Sequence, residues 1–119
     1  MKMETKNQAN VVITSIARTP IGAFMGDLCS LAVSELGSVV IKEALSRSHI
    51  TPEQVNHVIM GNVLTAGVGQ APARQAALGA RCPKSVPCLT INKVCGSGLQ
   101  AVEIGANMIR LNQADMVVC

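Results

Sequence analysis

The chain has 119 residues and is 49% hydrophobic, enough for one compact domain with its own core. Ten basic against seven acidic side chains give +3 with no block of like sign, and one phenylalanine with no tryptophan or tyrosine leaves little to stack on bases. That balance excludes a nucleic-acid partner, and the lack of any run of about 18 apolar residues excludes a membrane-spanning helix.

Residues 1–10, MKMETKNQAN, are polar and include an acid, so they read as a tail; a secretory leader would follow its positive end with a continuous apolar stretch. The domain is expected over residues 11–119. Val11 to Ala17, VVITSIA, is short and β-branched and predicts a first strand, with the loop residues RTPIG behind it. From Ala32 to Ser46, Val33, Leu36, Val40 and Ala44 recur at helical spacing while Ser34, Glu35, Lys42 and Glu43 fall elsewhere, which predicts an amphipathic helix. Thr51 to Gln54, TPEQ, reads as a capping box opening one short helical turn.

A buried strand is expected from His57 to Met60, then the glycine-rich loop GNVLTAGVGQ, then a helix from Pro72 to Leu78 ending near Gly79. The third strand spans Leu89 to Val94. The third helix runs from Gly98 to Leu111, with Leu99, Val102, Ala106 and Ile109 on one side. Asn112 suits the left-handed residue that closes a helix, and ADMVVC opens a fourth strand that stops at Cys119 without a polar tail, as a cut sequence would. Alternating strands and helices predict an α/β layer with a mostly parallel sheet and helical crossovers.

Five cysteines, Cys29, Cys82, Cys88, Cys95 and Cys119, form an odd set with no Cys-x-x-Cys pair. Reduced thiols in a cytoplasmic protein fit that set better than a disulfide framework or a zinc site. Cys95 stands apart, because it sits in INKVCGSGLQAV where a β-branched run gives way to two glycines and a helical pattern. A thiol attacks as its thiolate, and the unpaired N–H groups and positive dipole end of a helix starting just after it would favour that anion. Gly96 and Gly98 permit a sharp strand-to-helix turn and leave room for a substrate, as at the nucleophile elbow of hydrolases. The base that such a thiol needs is not in view: His49 ends the first helix and His57 opens a strand, both remote from the expected carboxyl end of the third strand. GVGQAPARQ lacks the lysine and hydroxyl of a P-loop and the spacing of a dinucleotide fingerprint, so it reads as a structural loop. Arg18 and Arg74, near prolines, read as loop or interface hydrogen bonders.

Three stretches, RTPIGAFMGDL from Arg18, GNVLTAGVGQAPARQA from Gly61 and TINKVCGSGLQAV from Thr90, together resemble the thiolases in order and approximate spacing. The resemblance implies that Cys95 takes an acyl group from an acyl-CoA as a thioester. A second acetyl-CoA, deprotonated at its methyl carbon, then attacks to give acetoacetyl-CoA; in reverse, CoA cleaves a 3-ketoacyl-CoA. It implies acetyl-CoA and CoA as substrates and no metal or dissociable redox cofactor. The implied fold is a pair of five-stranded α/β halves in five layers, of which this chain would be an incomplete amino-terminal half. The implied assembly is a homodimer or homotetramer, with the third strand pairing across the dimer and Gln70 and Arg74 at or near that contact.

Against that pattern, ARCP at Ala80 to Pro83 and Asn112 are small departures. The family's Gly-Gly-Met-Glu segment and its later Asn-Glu-Ala-Phe-like, Gly-His-Pro and Cys-x-Gly segments, which bring the activating histidine and a second cysteine, find no match here. Cys119 aligns with a small core residue, not with that second cysteine. The chain alone is therefore expected to be a very poor catalyst. Two rivals stay open: a ketoacyl-synthase-type condensing enzyme, and a truncated, non-catalytic interaction module.

Overall fold

In the computed structural model, which describes residues 10–119, the chain runs α1 (Val33–Arg47), a 3-10 turn (Pro52–Gln54), β1 (His57–Gly61), α2 (Pro72–Gly79), β2 (Cys88–Ile91), α3 (Ser97–Arg110) and β3 (Val117–Val118). The polar tail expected at the start lies, apart from Asn10, outside the described residues. The sheet has the order β2-β1-β3 and is parallel throughout, with Val58 opposite Cys88, Gly61 opposite Ile91 and His57 opposite Val117.

The two-residue period of a strand sorts the layers. Val58 and Met60 point to the side of α1 and α2, where they join Ile41, Leu45, Ala76, Ala77, Cys88 and Val118 in the core. Ile59 and Gly61 point the other way, toward α3, whose Ala101 is fully buried. Helix, sheet and helix thus form three layers, and the predicted α/β architecture with helical crossovers is present.

Small residues decide how the helices dock. A Cβ on Gly37 would come within 2.8 Å of the Ala76 Cβ, and one on Gly79 would collide with the Ser38 hydroxyl. That hydroxyl stands 2.8 Å from the Ser34 carbonyl and 3.0 Å from the Ala76 carbonyl and donates to either. The inward stripe of α1 is accordingly Ser38, Ile41 and Leu45, while Val33 and Val39 are exposed. Likewise α3 buries Ser97, Ala101 and Gly105 and leaves Leu99 and Val102 exposed, so the predicted Leu99–Val102 side is not the face packed on the sheet. A Cβ on Gly105 would lie 2.8 Å from the Cys119 sulfur and 3.1 Å from Val117. Close backbone approach selects the stripes with glycine, alanine and serine over the stripes with the largest apolar side chains.

The predicted first strand is corrected. Residues 11–17 join no ladder among the described residues, and Ile13 and Ile16 are exposed. They are tied to α1 by the Ser15 hydroxyl, which donates to the Ala44 carbonyl at 2.6 Å, and by Arg47 Nη1, which donates to the Ile16 carbonyl at 2.9 Å. An apolar gap of about 370 Å³, lined by Val11, Ile13, Val40, Ile109 and Val117 among others, separates the segment from β3. Ladder bonds need strands about 4.8 Å apart, so β propensity alone cannot make this segment a strand.

Candidate functional site: the cysteine turn

After Ile91 the backbone leaves the sheet and turns into α3 within five residues. The strand predicted to reach Val94 stops early because side chains take over its backbone partners. Asn92 Oδ1 accepts the Val94 N–H at 2.8 Å. Ser97 Oγ accepts the Lys93 N–H at 2.8 Å and donates to the Val94 carbonyl at 2.6 Å. The Gly96 N–H returns to the Lys93 carbonyl at 3.0 Å. Between these clamps Val94 adopts φ +48°, a left-handed conformation that costs a β-branched residue about 1–2 kcal/mol.

Cys95 stands at the crest of this turn and is exposed. Among the described residues the N–H groups of Cys95, Gly98 and Leu99 make no backbone hydrogen bond, and nothing lies within 4 Å of a Cβ built on Gly98. The amino end of a 14-residue helix therefore opens next to the thiol, with donors free to meet an oxygen that develops negative charge. Gly61 forms the floor: a Cβ there would sit 2.7 Å from the Ser97 Cβ and 2.9 Å from the Gly98 nitrogen. On the outside, Lys93 Nζ donates to Gln100 Oε1 at 2.6 Å, and Gln100 Nε2 donates to Glu103 Oε2 at 3.0 Å. Asn62, one residue past β1, holds a buried Nδ2 with no partner among the described residues.

The two histidines are not brought here. His57 opens β1 at the amino end of the sheet, about 13 Å along the strand from Gly61, and its buried Nδ1 has no partner among the described residues. His49 is exposed beyond the end of α1 at φ +55°. The glycine-rich loop is a folded corner: Gln75 Nε2 donates to the Val68 and Gln70 carbonyls at 3.0 and 2.8 Å, and Thr90 Oγ1 accepts the Ala73 N–H at 3.1 Å. Arg74 lies within α2 and donates to the Lys84 carbonyl at 3.1 Å, a loop-bonding role; Arg18 is exposed. No group of three or more histidine, cysteine or acidic residues gathers among the described residues to hold a metal.

Three of the other thiols differ from Cys95 in setting, whereas Cys29, like Cys95, is exposed. Burial pushes Cys82 above the ordinary 9.0, with the Cys88 and Glu53 charges adding to it. Burial also raises Cys88, against the opposing pull of Arg74. Cys119 is exposed as a residue, but its sulfur turns inward to the Ala101 carbonyl at 3.2 Å, and desolvation raises it as well. The sequence singles out Cys95, which the structure places exposed at the turn, but gives no direct notice of the bracing by Ser97, Asn92 and Gly61. The one signal lay in the spacing of Ser97 and Asn92, since a hydroxyl or amide two to four residues from a backbone N–H is a known local clamp.

With this geometry in hand, comparisons with known proteins place the chain. It matches the family Thiolase, N-terminal domain, over residues 11–119. It is 59% identical over 109 residues to an acetyl-CoA acetyltransferase of Cupriavidus necator, covering 92% of this chain and 28% of that one. Acetyl-CoA acetyltransferase 2 of Arabidopsis thaliana is 53% identical over 115 residues, 97% of this chain and 28% of the relative. A thiolase from Ascaris suum, solved in complex with coenzyme A, superimposes with a TM-score of 0.84 at 45% identity, over 86% of this chain and 27% of that one. The chain thus spans little more than a quarter of the length of the relatives it matches. A match over all but the first ten residues, on a fold shared with a solved thiolase, makes this chain a member of the thiolase family.

Proposed function

We propose that the chain is the amino-terminal part of an acetyl-CoA acetyltransferase and that Cys95 is its acyl-accepting thiol. The observation that carries this is the exposed Cys95 at the open amino end of α3, with the N–H groups around it free. In this reading the Cys95 thiolate attacks the carbonyl carbon of acetyl-CoA, an S–C bond forms, and CoA leaves as its thiolate. The carbanion of a second acetyl-CoA then attacks the thioester, a C–C bond forms, and the Cys95 thiolate departs, yielding acetoacetyl-CoA; thiolysis runs the same steps backwards. Covalent capture divides one hard step into two easier ones. The substrate is an acyl-CoA, and the cycle calls for no metal or dissociable redox cofactor.

Neither His49 nor His57 lies at the carboxyl end of the sheet beside the thiol, so the acid and base of the cycle lie outside these residues in this reading. Each such group contributes roughly 100-fold to 10,000-fold, so turnover by this chain alone should be negligible. The odd set of five cysteines, with no Cys-x-x-Cys pair among them, supports a cytoplasmic setting. The outer edge of β2, which pairs with β1 on one side only and leaves Leu89 exposed, supports assembly as a homodimer or homotetramer.

The test is mass spectrometry of the chain after incubation with excess acetyl-CoA, with digestion to place any adduct and a Cys95→Ser control. An acetyl group confined to Cys95 and lost in the control is expected. An adduct that persists in Cys95→Ser, or that prefers the exposed Cys29, would overturn the assignment.

A further inference from the structure

The reactive turn holds a group that the assignment of Cys95 does not account for. Ser97 is 4% exposed, one of two polar residues buried in the described chain, and its hydroxyl is spent entirely on the turn. It accepts from the Lys93 N–H at 2.8 Å and donates to the Val94 carbonyl at 2.6 Å, bonding residues on both sides of the left-handed φ at Val94. Strained backbone of this kind persists only where its surroundings over-determine it. Here Asn92 Oδ1 holds the Val94 N–H from the strand side, and Ser97 holds the Val94 carbonyl from the helix side. The Ser97 Cβ in turn is pressed against Gly61, where no side chain fits.

We propose that Ser97, with Asn92 as its counterpart, is the positioning residue for Cys95: it fixes the Val94 turn so that the thiol is presented at the open amino end of α3. This rests on the reading of Cys95 as the nucleophile. Ser97 itself need not touch substrate, since it is buried beneath the turn. Without its hydroxyl, the Lys93 N–H loses its partner and the Val94 carbonyl keeps only the Ser97 N–H at 3.2 Å, so Val94 relaxes toward negative φ and the thiol swings away from the helix end.

Three cysteines of the same chain make the test internal. Cys95 reports the turn, exposed Cys29 is a reference thiol, and buried Cys82 reports unfolding. The chain is alkylated with iodoacetamide under limiting conditions and read by peptide mass spectrometry. Ser97→Ala should lower the Cys95/Cys29 rate ratio about tenfold while Cys82 stays protected. Asn92→Ala should lower it about threefold and Asn92→Asp, which keeps the acceptor oxygen, should restore it. A ratio within twofold of wild type in Ser97→Ala with Cys82 protected overturns the proposal. If Ser97→Ala exposes Cys82 through unfolding, the Asn92 pair decides, and equal ratios in the alanine and aspartate variants overturn it. Acetyl transfer from acetyl-CoA to wild-type Cys95, measured in parallel, separates this from the parent reading. Transfer with an unmoved alkylation ratio defeats the clamp alone, whereas a lowered ratio without transfer defeats the parent reading alone.

Discussion

Two helices of this chain follow a strand, α2 after the loop of residues 62–71 and α3 after the turn of residues 92–96, and their amino termini are treated in opposite ways. At α2, Pro72 has no N–H to satisfy, the Ala73 N–H is capped by Thr90 Oγ1 at 3.1 Å, and the Arg74 and Gln75 N–H groups return to the Ala71 carbonyl at 2.9 and 3.1 Å. At α3, the N–H groups of Gly98 and Leu99 find no backbone acceptor among the described residues, and the space over Gly98 is empty. The first corner is packed and closed, the second is braced from beneath and left open above. A strand-to-helix connection is thus closed in one place and open in the other, and the difference lies in a few residues: Pro72 and Thr90 on one side, Gly61, Ser97 and Gly98 on the other.

The largest break in this contrast should come from Gly61→Val. Its side chain would meet Ser97 and the Gly98 nitrogen at distances no relaxation of a flexible group can absorb, because the atoms in the way belong to backbone and to a buried Cβ. Overpacking of this kind costs about 3 kcal/mol, read as a lowered urea midpoint, and the Cys95/Cys29 alkylation ratio should change with it. A variant as stable as wild type would mean that α3 does not rest on β1 as described.

Next in size is Gly79→Ala, on the opposite side of the sheet. The added methyl collides with the Ser38 hydroxyl where α1 crosses α2, and a loss of about 2 kcal/mol is expected. Because this contact shares no partner with the cysteine turn, the Cys95/Cys29 alkylation ratio should not move. Opening the closed corner is milder: Thr90→Val keeps the shape but strips the Ala73 N–H of its acceptor, for about 1 kcal/mol. Coupling of Thr90→Val to Cys95 labelling would show that the two corners are not independent, and coupling of Gly79→Ala would show that the two faces of the sheet are not.

How far these corners could be read from residues alone follows from what each depends on. Pro72, Gly79 and Asn112 mark helix ends through their own backbone preferences, so α2 runs from Pro72 to Gly79 as expected and Asn112 sits at φ +54°. The turn that carries Cys95 was recognisable because the glycines and the helix that frame it are local, although the strand before it ends at Ile91 and not at Val94. The inward faces of α1 and α3 were misjudged for a different reason. Periodicity ranks Leu99 and Val102 above Ala101 and Gly105 by hydrophobicity, whereas the sheet accepts only side chains small enough for close approach. Residues 11–17 failed as a strand because a ladder depends on a neighbour 4.8 Å away, which no property of the segment itself encodes. The Ser97 and Asn92 clamps are local in sequence, yet only the geometry reveals that they are spent on a left-handed Val94.

The smallest expected effect concerns the thiols that surround neither corner's opening. Cys82, Cys88 and Cys119 all have their thiols raised above the ordinary 9.0, with burial as the leading cause in each. A raised value means that the folded chain holds these protons more tightly than the unfolded chain. Between the ordinary value and the folded value the unfolded state binds fewer protons, so unfolding becomes easier as pH rises. The contribution is fully present below pH about 9 and lost as pH climbs through the folded values. A urea midpoint that is flat from pH 7 to 8.5 and falls by pH 10 is therefore expected. Cys82→Ala should flatten that fall while lowering the midpoint at neutral pH, since Cys82 is the most buried of the three. A midpoint that rises above pH 9, or a fall unaltered in Cys82→Ala, would show that Cys82 does not carry the alkaline loss. Alkylation sharpens the same point, because at pH 8 Cys82 should react far more slowly than Cys95 and Cys29: one thiol is shut inside the core, the others stand at the surface.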